Sequence, residues 1–223
     1  MRNFTLRKGF LGSKCGTRSS FKGFIMLVVL MLMMASSAMA QEAKFEVIGG
    51  LRYLLDTGAK TATLMPKTDG KYSGDIVVPE KVNSSDGMEY VVTSFEERCF
   101  YDCSGIKAIT IPSSVTSLGD YCFSCCYGLT SITIPSSVTS LSDGCFSGCS
   151  GLTSITIPSS VTSLERYCFN GCSGLETFYF KGKVPEYASV AAIPTTCVIK
   201  VPTEYLQDYK NALGSNYKYM SPL

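Results

Sequence analysis

The chain has 223 residues, 45% hydrophobic and 17% charged, a balance that excludes a disordered polymer and leaves material for a core of one or two domains. It contains 11 Cys but no His and no Trp. The missing His removes Ser-His and Cys-His nucleophilic pairs, His metal ligands and the commonest general base together.

The first forty residues read as a leader rather than as part of a fold. MRNFTLRKGFLGSKCGTRSSFK carries six Lys/Arg and no acid, and GFIMLVVLMLMMA follows as an unbroken apolar run. That run is shorter than the about 20 residues a bilayer span needs. Ala38 and Ala40 supply an A-x-A cleavage pattern, so a secretory signal peptide over 1–40, cut after Ala40, is expected. The product would be exported to the periplasm, the cell surface or beyond. No membrane-spanning segment is expected in the mature chain. Without the leader, 14 basic residues face 18 acidic ones, a net charge of about −4. No basic stripe is left to neutralise phosphates, so nucleic acid is not an expected partner.

An internal repeat governs the rest. IVVPEKV (76–82) opens the frame. TSFEERCFYDCSGIKAITIPSSV (93–115) follows, then TSLGDYCFSCCYGLTSITIPSSV (116–138) and TSLSDGCFSGCSGLTSITIPSSV (139–161), which differ at four of 23 positions. TSLERYCFNGCSGLETFYFKGKV (162–184) is the last, with a diverged end. Units of 23 residues cannot bury an apolar face alone, so they must stack. Within one copy, Ile155 and Ile157 alternate with Ser154 and Thr156, the period of a half-buried strand. Pro158 stops it for want of an N–H. Ser159-Ser160 turn the chain, and Val161 to Leu164 begins a second extended side. Glu165 to Gly174 is expected as a short helical turn. The whole is predicted as a β-rich solenoid of about five right-handed coils, its strands about 4.8 Å apart in a parallel sheet.

The frame CF-x-x-C-x-x-L-x-x-I-x-I-P-x-x-V-x-x-L resembles the BspA-like leucine-rich repeats of bacterial surface proteins, in which the first cysteine is more often Ala. The resemblance implies a leucine-rich-repeat solenoid over 76–184, an N-terminal β cap over 41–75 and a C-terminal cap over 185–223. FEVIGGLRYLLD is similar to the hairpin that precedes such arrays, with Gly49-Gly50 as its turn. CVIKVPTEYLQDYKNALGSN resembles the closing strand and helix, with Thr203 as N-cap and Gly214 as stop. The resemblance also implies adhesion, or binding to host or matrix proteins, as the role.

Two residue sets stand in columns at the repeat period. Cys99, Cys122, Cys145 and Cys168 form one thiol column; Cys103, Cys126, Cys149 and Cys172 form another. Zinc wants C-x-x-C pairs converging on a point, whereas C-x-x-x-C in register lays sulfurs out in lines. Helical i, i+4 spacing, with Cβ atoms about 5–6 Å apart, also exceeds the about 3.5–4.5 Å of a disulfide. Buried free thiols acting as small hydrophobes are therefore favoured over bridging or metal, although bridging stays open in an exported protein. Cys125 stands outside both columns, where later copies have Gly148 and Gly171; it is the best placed for an exposed reactive thiol, but a neutral substitution at a loop position is the favoured reading.

The outward strand residues Thr110, Thr133, Thr156 and Tyr179, with Ala108, Ser131, Ser154 and Thr177 beside them, define the candidate binding face. Ser and Thr are also ordinary solvent-facing strand residues, so a passive spacer or self-associating surface module is the alternative. Asp120 and Asp143 share a position that Arg166 takes in the next copy and are expected as solvated turn residues. Asn83-Ser-Ser85 matches a glycosylation acceptor. No G-x-S-x-G, phosphate loop or calcium loop is present, so the chain is expected to be non-catalytic, without cofactor or metal.

Overall fold

The described residues, 43–188, 191–214 and 219–223 of a computed structural model, begin with a hairpin. β1 (Ala43–Ile48) and β2 (Leu51–Asp56) pair antiparallel with Ile48 opposite Leu51. The two-residue turn needs positive φ at both positions, which Gly49 (60°) and Gly50 (81°) supply. β3 (Thr61–Leu64) continues antiparallel to β2, and β6 (Glu89–Phe95) lies parallel beside β3. β5 (Lys81–Asn83) completes this cap against β6, across a turn at Asp86-Gly87. The expected leader and its cleavage site lie outside the described residues. From Gln41 to Leu223 the chain forms one compact unit.

The repeats then wind into a solenoid. On one side β4 (Gly74–Val77), β7 (Ile106–Thr110) and β9 (Ser131–Thr133) form a parallel sheet, and β11 (Ser154–Ile157), β13 (Thr177–Phe180), β14 (Val198–Val201) and β15 (Met220–Pro222) form another. The parallel sheet is thus in two sections, because no strand pairing joins β9 to β11 among the described residues. On a second side β8 (Ser117–Leu118) pairs with β6, and β10 (Ser140–Leu141) pairs with β12 (Ser163–Leu164). Alternation sets what is buried: in β11, Ile155 and Ile157 point inward and Ser154 and Thr156 outward.

The third side corrects the expected helical turn. Residues 166–171 are a run of tight turns rather than helix, for two physical reasons. Left-handed residues recur at the repeat period, at Arg98, Tyr121, Gly144 and Tyr167 and again at Asp102, Cys125, Gly148 and Gly171. An α-helix of L-residues cannot pass through such positions. The backbone donors are also spent between coils: the N–H groups of Phe100, Phe123 and Phe146 reach the carbonyls of Cys122, Cys145 and Cys168 at 2.8–2.9 Å.

Inside, Phe100, Phe123, Phe146 and Phe169 stack face to face, with centroids 5.4, 5.2 and 5.7 Å apart and planes within 7°. Tyr72 packs on the first ring and Phe178 crosses the last at 88°. From there the column runs through Phe180 to Tyr209 of the C-terminal cap. Coils approach this closely because small residues line one corner: a Cβ on Gly128, Gly151 or Gly174 would fall 2.1–2.4 Å from a backbone oxygen of the preceding coil.

The C-terminal cap carries a second correction. Thr203 is not an N-cap; it begins a 3-10 turn, Thr203–Tyr205, with no side-chain capping bond. Pro202 fixes the turn one step early, and Tyr205 donates its N–H back to the Pro202 carbonyl at 3.0 Å. The helix α1 (Leu206–Leu213) follows and ends at Gly214 (φ 76°), as expected, with its N–H on the Lys210 carbonyl. β15 is an element the sequence did not announce.

Candidate functional site

The outward residues of the parallel strands meet in register. Ala108 lies opposite Ser131 and Thr110 opposite Thr133. In the second sheet Ser154 lies opposite Thr177 and Thr156 opposite Tyr179. Thr110, Ser131, Thr133, Ser154 and Thr156 are exposed, while Thr177 and Tyr179 are half-buried. Beneath them Ile109, Ile132, Ile155 and Phe178 are buried, so each hydroxyl stands on a strand whose inner face is locked in the core.

The face extends at both ends beyond the residues singled out from sequence. Val77 lies opposite Thr110 and is 70% exposed, and Lys200 lies opposite Tyr179, with Ser221 next to it. The repeat frame contains the signal for the first two: Ile76-Val-Val-Pro79 and Ile199-Lys-Val-Pro202 both match Ile155-Thr-Ile-Pro158. Ser221 has no such signal, because its strand follows no repeat. The outward column therefore runs from an apolar residue through hydroxyls to an aromatic and a cation.

All eight column cysteines are buried free thiols in the structure. Because the turns are not helical, i, i+4 spacing does not describe them; their neighbours in the adjoining coils do. In the second column, the Sγ–H groups of Cys126, Cys149 and Cys172 donate to the carbonyls of Phe100, Phe123 and Phe146 of the preceding coil, each at 3.1 Å. In the first column the buried thiols of Cys99 and Cys122 are neighbours that perturb each other's ionisation. Burial raises the pKa of every column thiol, to about 12 for Cys172, and raises Cys197 to about 11. Desolvation thus disfavours the thiolate form that nucleophilic attack requires. Among the described residues no three Cys, Asp or Glu side chains converge to hold a metal ion.

Cys125 is half-buried and left-handed (φ 61°), and its backbone and sulfur lie 3.4–3.5 Å from where a Cβ on Gly148 would stand. Asp143 is not simply solvated: its Oδ1 accepts the N–H of Arg166 in the next coil at 2.9 Å. Asn83 is exposed at the end of β5. No helix among the described residues is long and apolar enough to cross a membrane.

Among solved structures, a leucine-rich cell surface protein of Faecalibacterium prausnitzii matches 80% of this chain at 21% identity and a TM-score of 0.54. The pneumococcal vaccine antigen PcpA matches 81% at 17% identity and 0.62. The chain spans 38% and 48% of those two proteins, respectively. A leucine-rich repeat protein of Bacteroides capillosus matches 62% of this chain and 99% of its own length, at 27% identity and 0.54. Comparison with curated proteins gave no match. The profile of the BspA type leucine rich repeat region matches residues 84–191 in six copies, against four copies and a partial fifth counted from sequence. With the stacked 23-residue frame and the parallel strands, that match makes the solenoid a BspA-type leucine-rich repeat region.

Proposed function

We propose that this is an exported, non-catalytic repeat protein that binds another macromolecule, a protein of a host or matrix surface, through the outward face of its parallel strands. The observation that carries this is the outward column in its two in-register sections, Val77, Thr110 and Thr133 in one sheet and Thr156, Tyr179 and Lys200 in the other. A rigid row of hydroxyls ending in an aromatic and a cation offers many weak contacts without ordering loops, so little entropy is lost on binding. Likeness in fold to a protein described as a cell surface protein and the leader expected over residues 1–40 support an extracellular setting.

The test is a capture experiment with extracellular matrix and mucus proteins, comparing the native chain with Thr133→Lys and Thr156→Lys. Both positions are exposed, so each variant should fold normally while capture falls at least about tenfold. Capture equal to wild type by both variants would move the binding surface elsewhere; no capture by the native chain would remove the adhesive role.

A further inference from the structure

β1 differs from its neighbour. Its six residues alternate between exposed and half-buried and none is buried, whereas β2 alternates buried with half-buried. In a hairpin closed by a two-residue turn, Ile48 and Leu51 form a hydrogen-bonded pair. The backbone groups of Ile48, Glu46 and Lys44 therefore face β2, and those of Val47, Phe45 and Ala43 face outward. No strand pairs with that edge among the described residues. Beside it stand Phe45, 47% exposed, and Val47, 69% exposed. Natural sheets ordinarily blunt such an edge.

The strand is its own complement when read antiparallel. Centred on Phe45, Lys44 of one chain meets Glu46 of the other, Phe45 meets Phe45, and Ala43 meets Val47. The charges fall at the non-hydrogen-bonded positions, where opposing side chains come closest. They are also already ordered: Lys44 Nζ lies 3.0 Å from Glu46 and 2.8 Å from Asp86, and Glu46 accepts both the hydroxyl and the N–H of Ser85. The guanidinium of Arg52 sits 4.4 Å from the Phe45 ring centroid and fixes it on the outer face. Head-to-tail stacking is less well served. At β15 the bonds of Ile199 to Tyr219 and of Leu223 to Val201 turn Met220 and Pro222 outward, and Pro222 has no N–H to offer.

We propose that β1 is a dimer edge: two copies pair antiparallel through Ala43–Val47 about a two-fold axis at Phe45, joining their N-terminal caps into one sheet. Each chain supplies the same surface to the other, so the contact closes at two copies. The solenoids, lying beyond the caps, keep their own strand faces.

The test is sedimentation of the chain from Gln41, with circular dichroism as a check on folding. The native chain should be dimeric at micromolar concentration. Lys44→Glu and Glu46→Lys each place like charges opposite one another and should weaken the dimer about tenfold or more. Mixed together, these two variants restore opposite charges at both pairs and should form a heterodimer. Val47→Pro removes an outward N–H, leaves the bonds to β2 intact, and should be folded and monomeric. A monomeric native chain, dimers unaffected by the charge reversals or by Val47→Pro, or a mixture that stays monomeric would each overturn the proposal.

Discussion

The Sγ–H of Cys149 donates to the carbonyl of Phe123 at 3.1 Å, the same oxygen that accepts the N–H of Cys126 at 3.2 Å. One carbonyl thus ties its own coil and the next. Losing the thiol leaves that oxygen satisfied, so Cys149→Ala forfeits only a small buried side chain and one weak bond. Urea denaturation should show a loss of about 1–2 kcal/mol. Cys149→Leu, which must fit extra volume into a packed column, should lose more.

The same burial makes the fold sensitive to alkali. Thiols in the unfolded chain ionise near pH 8.5, while those in the folded chain are held protonated by desolvation, to about 12 at Cys172 and about 11 at Cys197. Raised folded values mean that the stability is complete below the unfolded pKa and falls as pH climbs toward the folded ones. Each such thiol removes about 1.4 kcal/mol per pH unit. With the whole column acting together, folded protein should be lost within about two units above pH 8.5 in reducing buffer. Circular dichroism against pH reads this directly, and Cys172→Ala should flatten the slope.

Two glycines make a matched contrast. A Cβ on Gly151 would lie 2.4 Å from the Tyr127 carbonyl oxygen, whereas one on Gly171 (φ 74°) meets nothing nearer than 3.6 Å. Gly151→Ala must therefore push two coils apart and should cost roughly 3 kcal/mol or more. Gly171→Ala meets only the left-handed backbone penalty, about 1 kcal/mol. Thermal melts of both should rank them in that order, and equal losses would refute the close-approach account.

The hydroxyl of Tyr53 is buried without a hydrogen-bond partner among the described residues, and desolvation raises its pKa. Tyr53→Phe deletes an unsatisfied group and keeps the ring, so the protein should gain about 1 kcal/mol. A clear loss would mean that the hydroxyl has a partner.

The solenoid was legible because its signals are local and repeated. The Ile155–Ile157 alternation, Pro158 and the Gly49-Gly50 turn each act through the dihedrals or pairing of their own residues. What stayed hidden depends on neighbours in space. One-turn cysteine spacing suggested a helix, yet Tyr121, Cys125 and Tyr167 occupy left-handed positions that their side chains do not announce. Thr203 looks like a cap until Pro202 starts the turn ahead of it. Val77 and Lys200 are readable as parts of the outward face only once the ITIP frame is extended into both diverged ends. The break between β9 and β11 falls between two nearly identical copies, so nothing in either sequence marks it.

The ring column from Phe100 to Phe169 has a consequence for how this chain can vary. Since each ring lies 5.2–5.7 Å from the next and nearly parallel to it, one copy presents the same upper and lower surface as another. Excision of residues 139–161 would bring Phe123 onto Phe169 with neither cap disturbed, narrowing the outward face by one strand, about 4.8 Å. The length of the outward face is then set by copy number, a quantity that recombination between near-identical stretches of coding sequence can change in a single event.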